Sequence, residues 1–221
     1  MQQYAGTILA GRSFEPVRGR VVVDDGRIDA VEEAPTESTD IVLPAFVNAH
    51  THIGDSVAKE AGVGLSLDAA VAPPDSEKHR RLAAASRDEL ITAMRRTLQL
   101  MEETGTVAHL DFRESGEPGT EALRTAASET ATDAVIFGSG PASVLDLADG
   151  YGASGANDDE FTDERAAARK ANKPFAIHAG EPDATDIHPA LDYEPELLVH
   201  MVHAEAEHLE RVADQAVPVA V

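Results

Sequence analysis

The chain has 221 residues, 43% of them hydrophobic, enough for a sizeable core, and 40 acidic against 18 basic residues leave it a net charge of −22. A field of that sign argues against nucleic acid and anionic membrane surfaces as partners. Zero cysteines exclude disulfides, thiolate nucleophiles and thiolate metal sites. With neither an 18-residue apolar run nor a charged-then-apolar leader, the expected location is the cytoplasm.

Arginine supplies 14 of the 18 cations and lysine only four. An acidic excess of this size predicts adaptation to a cytosol of molar salt, where the Debye length falls to about 3 Å and self-repulsion is screened.

Residues 1–40 read as a small β-sandwich portion, with β-rich runs at 4–9, 20–23 and 27–31 and a tight-turn signal at Asp24-Asp25-Gly26. Residues 41–221 read as strands alternating with helices, beginning with a strand at 41–47. Residues 53–86 contain Gly54, Gly62, Gly64, Pro73 and Pro74 with little periodicity, and predict a loop insertion. Ser86-Arg87-Asp88-Glu89 is a capping-box pattern; Leu90, Ile91, Met94, Leu98 and Met101 follow at helical spacing, and Gly105 stops the helix. Strands are expected at 106–112, 134–137 and near 145–151. Thr162-Asp163-Glu164 opens a helix to about Asn172. Further strands are expected at 174–177 and 197–202, then a helix at 204–215 and a seventh strand at 217–221.

Three of these apolar strands run into histidines: Pro44-Ala45-Phe46-Val47-Asn48-Ala49-His50-Thr51-His52, Phe175-Ala176-Ile177-His178-Ala179-Gly180-Glu181, and Leu198-Val199-His200-Met201-Val202-His203. Neutral imidazole is the commonest protein ligand for a divalent ion, and Glu181, three residues beyond His178, is placed to handle protons. On an extended strand His50 and His52 face the same side and can reach one ion. His52 and His178 are 126 positions apart, and His178 and His200 are 22 apart. A TIM barrel spends about 31 residues on each strand–helix unit, so the ligands would leave strands 1, 5 and 6 at the C-terminal face, where barrel enzymes keep their chemistry.

The Pro-Ala-Phe-Val-Asn-Ala-His-Thr-His and His-Ala-Gly-Glu segments resemble signatures of the amidohydrolase superfamily, especially its deaminase and chlorohydrolase-like branch, over roughly the whole chain. The resemblance implies an α/β fold, a (β/α)8 TIM-like barrel with a small N-terminal β-sandwich portion. It implies a divalent metal, zinc by default with iron or manganese as alternatives, held by His50, His52 and His178. Glu181 would then be the proton shuttle between water and the leaving nitrogen. His200 would polarise water and the developing oxyanion; with no carbamate-forming lysine in view at the end of strand 4, one metal is favoured over two. His203 is read either as orienting a neighbour through its second nitrogen or as a packed structural histidine. Arg113 either touches a substrate carboxylate or heterocycle, or pairs with Glu114. No role is read for His79, His188 or His208, the first and last placed in solvated helices and the second in a loop.

The family pattern also has an aspartate at the end of strand 8, whereas the strand count here reaches about seven, so the barrel is expected to be truncated after strand 7. The implied activity is metal-dependent hydrolysis of a non-peptide carbon–nitrogen bond, with deamination of a small cyclic amidine or aminated heterocycle as the leading reading. The alternatives are hydrolysis of cyclic amides or halogenated rings, and a non-catalytic or partner-completed barrel fragment. A small molecule is the expected partner, and a homo-oligomer is compatible with this reading.

Overall fold

The computed structural model describes residues 1–71 and 75–221, so Pro73 and Pro74 of the expected insertion lie outside the described residues. The chain divides into two compact units, Met1–Phe46 and Val47–Val221, so the boundary falls six residues later than the expected end at residue 40.

In the first unit, strands β1 (Gln2–Ala10), β2 (Glu15–Asp24), β3 (Arg27–Glu33) and β4 (Ile41–Val42) form one sheet in the order β3-β2-β1-β4. Asp25 and Gly26 both take positive φ (46° and 72°), the backbone a two-residue hairpin needs to match strand twist. Ile41 and Val42 pair in parallel with Thr7 and Ile8 of β1. The single strand expected at 41–47 is therefore two strands. Pro44, which has no N–H for a ladder, lies between them, and β5 runs over Phe46–Thr51.

The second unit is built on a seven-stranded sheet ordered β5 to β11 in sequence: β6 (Thr106–Arg113), β7 (Asp133–Gly138), β8 (Gly150–Ala153), β9 (Phe175–Ala179), β10 (Leu197–His200) and β11 (Val219–Ala220) follow β5. The registers from β6 through β11 are all parallel. Five strand steps separate β5 from β10, about 24 Å in a flat sheet, yet the rings of His50 on β5 and His200 on β10 lie 4.8 Å apart. The sheet therefore curls into a nearly closed barrel, and this curl brings the histidines together.

The expected insertion is not a plain loop: it holds two 3-10 turns (Ile53–Val57 and Lys59–Gly62) and helices α1 (Leu67–Val71) and α2 (Glu77–Ala84). Helix α3 (Arg87–Glu103) begins at Ser86 with the full reciprocal capping box to Glu89. Its buried Ile91, Met94 and Leu98 pack with Ala122, Leu123 and Ala126 of α4 (Gly116–Ala127) and Ile136 of β7. Helix α4 is masked in the sequence by Gly116, Pro118 and Gly119 in its first turn. Helices α5 (Thr162–Ala171), α6 (Ile187–Asp192) and α7 (Ala206–Gln215) complete the outer layer. Among the described residues no helix is long and apolar enough to cross a membrane.

Strand β8 starts later than expected, because Leu145 belongs to a 3-10 turn (Ala142–Asp146). Its glycines are demanded by close approach: a Cβ on Gly152 would meet Phe112 Cδ1 at 2.6 Å, and one on Gly150 would meet Phe137 Cε1 at 2.7 Å. Phe112, seated over Gly152, in turn forms the apolar floor beneath the histidines, 4.5 Å from the His178 ring centre and 5.5 Å from that of His50.

Candidate metal centre

His50 lies in β5 and His52 directly after it, so the two rings face one side, with Nε2 atoms 3.1 Å apart. His178, near the end of β9, places its Nε2 3.3 Å from that of His52. One nitrogen from each of the three lies within 4.8 Å of the others. Tetrahedral zinc with bonds of about 2.0–2.1 Å requires ligand separations of about 3.3–3.4 Å, so the two measured edges already approach that geometry.

The tautomer of His178 follows from its partner. Its Nδ1 is 2.8 Å from Ala153 O. A carbonyl can only accept, so Nδ1 carries the proton and the Nε2 lone pair faces the cluster. Burial pushes the His178 pKa well below its usual 6.5, and the neighbouring imidazoles push the same way against the Ala153 bond. Burial, aided by His52, His200 and Lys78, lowers His50 to about 4. These rings are neutral near pH 7, the state a metal ligand requires. The chemistry of the donor set fits a divalent ion of zinc type.

His200 ends β10 with φ of 73°, followed by Met201 at 59°. Two successive left-handed non-glycine residues cost roughly 1–2 kcal/mol each, and backbone bonds hold the turn: Met201 N–H donates to Ala179 O (2.8 Å) and His203 N–H to Gly180 O (3.0 Å). The turn brings His200 Nε2 to 3.5 Å from Glu181 Oε2. Glu181 itself follows Gly180, whose φ of 69° and amide bond to the buried Asp186 carboxylate (2.8 Å) set the bend. Burial lowers the His200 pKa, opposed by the Glu181 and Asp186 carboxylates.

The structure thus gathers His50, His52, His178, His200 and Glu181 at one end of the barrel. Two weaker candidates are placed otherwise. Arg113 is 3% exposed and bonds the Glu114 carboxylate at 2.7 Å, so it is a buried ion-pair partner and not an open substrate contact. The ring of His203 is exposed and makes no hydrogen bond among the described residues, so it is neither a packed core histidine nor an orienting group; its backbone does the bracing. His208 is buried and not solvated, and His188 lies on α6 and not in a loop.

Asp111, not anticipated from the sequence, accepts from the Thr51 hydroxyl (3.0 Å) and the Ile53 amide (2.5 Å), bracketing His52 from both sides. Its complete burial raises its pKa to about 6 despite Arg113 nearby. An acid inside the apolar strand Leu110-Asp111-Phe112 was the available signal.

The matching family model, described as the amidohydrolase family, spans residues 41–213. The chain belongs to the amidohydrolase family. A provisionally named aminohydrolase of Methanothermobacter thermautotrophicus is 33% identical over 253 residues, covering 97% of this chain and 65% of that protein. The chain therefore spans just under two thirds of this curated relative's length. Among solved structures, an atrazine chlorohydrolase from Arthrobacter aurescens complexed with zinc aligns with TM-score 0.70 at 12% identity, over 97% of this chain and 63% of that one. A 5-methylcytosine deaminase from Klebsiella pneumoniae liganded with phosphonocytosine aligns with TM-score 0.69 at 13% identity, over 97% and 64%. At these identities the likeness is one of fold.

Proposed function

We propose that this amidohydrolase-family chain carries the centre of a metal-dependent hydrolase that releases ammonia from a small cyclic amidine or aminated heterocycle. The observation that carries the reading is the gathering of one ring nitrogen from each of three histidines within 4.8 Å of one another, with the Glu181 carboxylate and His200 beside them. His50, His52 and His178 would hold the ion, zinc first and iron or manganese as alternatives. When bound, a divalent ion lowers the pKa of a coordinated water toward about 7 and so supplies a nucleophile at neutral pH.

The remaining steps belong to the chain. Glu181 accepts a proton from water as its oxygen adds to the ring carbon bearing the amino group, and returns it to the departing nitrogen as the C–N bond breaks. Gly180 keeps Glu181 close to His178 without a side chain in the bend. His200 presents an Nε2–H to the oxygen on which negative charge develops. Phe112 excludes water from the floor, which strengthens both interactions.

The test is zinc-loaded protein assayed against three panels: aminated heterocycles, cyclic amides and halogenated rings. Ammonia release from the first panel supports the proposal. Turnover confined to the other panels redirects it to the same centre with a different leaving group. A protein that neither binds zinc nor turns over any panel favours a non-catalytic or partner-completed barrel.

We also propose that the −22 charge reflects adaptation to molar salt. A melting temperature that rises steeply with KCl supports this; one indifferent to KCl contradicts it.

A further inference from the structure

The rear nitrogen of His52 faces a charged cluster that the proposed reaction does not use. His52 Nδ1 lies 3.3 Å from Glu114 Oε1. The same oxygen accepts from Lys78 Nζ at 2.6 Å, and Lys78 also reaches Asp55 Oδ2 at 3.0 Å. The other oxygen, Oε2, accepts from Arg113 Nη2 at 2.7 Å. Four segments supply these groups: the end of β5, the first 3-10 turn, helix α2 of the insertion and the end of β6.

One ring nitrogen of His52 and one carboxylate oxygen each of Asp55 and Glu114 lie within 4.8 Å of one another, a spacing that a second cation could fill. The Lys78 ammonium already bonds both carboxylates there. Its side chain is only 10% exposed. A buried ammonium is tolerated only when paired, and a carboxylate stripped of its cation in such a place is strongly penalised. The carboxylate behind His52 is therefore fixed by two cations, Arg113 and Lys78, and the second of these comes from the insertion.

We propose that Glu114 is the positioning residue for His52 and that Lys78, carried by helix α2, locks Glu114 in place, so that the insertion tightens metal binding without touching the metal. Glu114 draws the His52 proton to Nδ1 and leaves the Nε2 lone pair directed at His50 and His178. A carboxylate behind a ligating histidine commonly changes metal affinity by about 10–100-fold. Without Lys78 the Glu114 carboxylate keeps only Arg113 and is free to swing toward it. The proposal rests on the three-histidine centre described above.

The test measures zinc affinity by competition with a chromophoric chelator, and the visible absorption of the cobalt-substituted protein, in wild type, Glu114→Gln, Lys78→Met and Lys78→Arg. Expected are zinc affinities lowered about tenfold or more in Glu114→Gln and Lys78→Met, altered cobalt bands in both, and partial rescue in Lys78→Arg. If Lys78 merely staples the insertion to the barrel, Lys78→Met lowers the melting temperature while affinity and cobalt bands match wild type, which overturns the proposal. Should Glu114→Gln fail to fold, Glu114→Asp, which withdraws the carboxylate by one methylene, serves the same comparison. A wild type that binds zinc with variants that bind it equally well refutes the coupling alone. A wild type with no zinc site at the three histidines removes the centre and the coupling together.

Discussion

The barrel holds two histidine clusters of similar composition and opposite chemistry. At the strand ends His50, His52 and His178 converge; on the outer layer His188, Glu207 and His208 come equally close, with the His188 and His208 rings 4.6 Å apart. The difference lies in what stands behind each ring. Behind His178 is a carbonyl, which forces the proton to Nδ1 and frees Nε2. Behind His208 is the Glu205 amide, 2.9 Å from Nδ1, and behind His188 is Arg211 Nη1 at 3.3 Å. Both of these are donors, so the lone pairs of His188 and His208 are occupied and their Nε2 atoms carry protons. Proximity alone does not make a metal centre; the partner of the second nitrogen decides it.

Removing histidines from either cluster tests this difference most directly. His178→Ala should reduce bound zinc from one equivalent to none by elemental analysis after dialysis, while a His188→Ala, His208→Ala double variant should retain a full equivalent. Loss of zinc from the double variant instead would reverse the assignment. Next in size, Glu181→Gln should lower kcat by about 10²–10⁴-fold with zinc content unchanged, as expected of a proton shuttle and not a ligand.

Smaller effects sharpen the electrostatic side. His50 titrates near 6.5 when unfolded and at about 4 when folded, so between those values the unfolded chain binds the extra proton. Metal-free wild type should therefore lose stability relative to His50→Gln as pH falls from about 6.5 to 4, with no further change below; denaturant titrations at several pH values read this difference. His208→Ala should cost about 1–3 kcal/mol of unfolding free energy, because it strands the Glu205 amide at the start of α7, and should leave zinc affinity unchanged.

The convergence of His50, His52, His178, His200 and Glu181 was readable from the chain because each follows an apolar strand, and strand ends of a parallel barrel share one face. Helix α3 was equally plain, since its capping box and its core face are local patterns. What escaped depends on contacts distant in sequence. Ile41 and Val42 look like the start of a barrel strand until the pairing partner Thr7-Ile8 is known. Strand β8 hides behind glycines that exist to admit Phe112 and Phe137. Arg113 pairs with its chain neighbour Glu114, one of the two readings the sequence offered, whereas the exposed ring of His203 matches neither of its readings. Asp111, Glu114 and Lys78 act through the backs of other residues, for which no spacing rule exists.

The most direct measurement is a crystal of the zinc-loaded protein with anomalous scattering recorded across the zinc edge. One strong peak is expected about 2.0–2.1 Å from Nε2 of His50, His52 and His178, and none at His188 and His208. A peak at the outer cluster, or none among the three strand-end histidines, would contradict it.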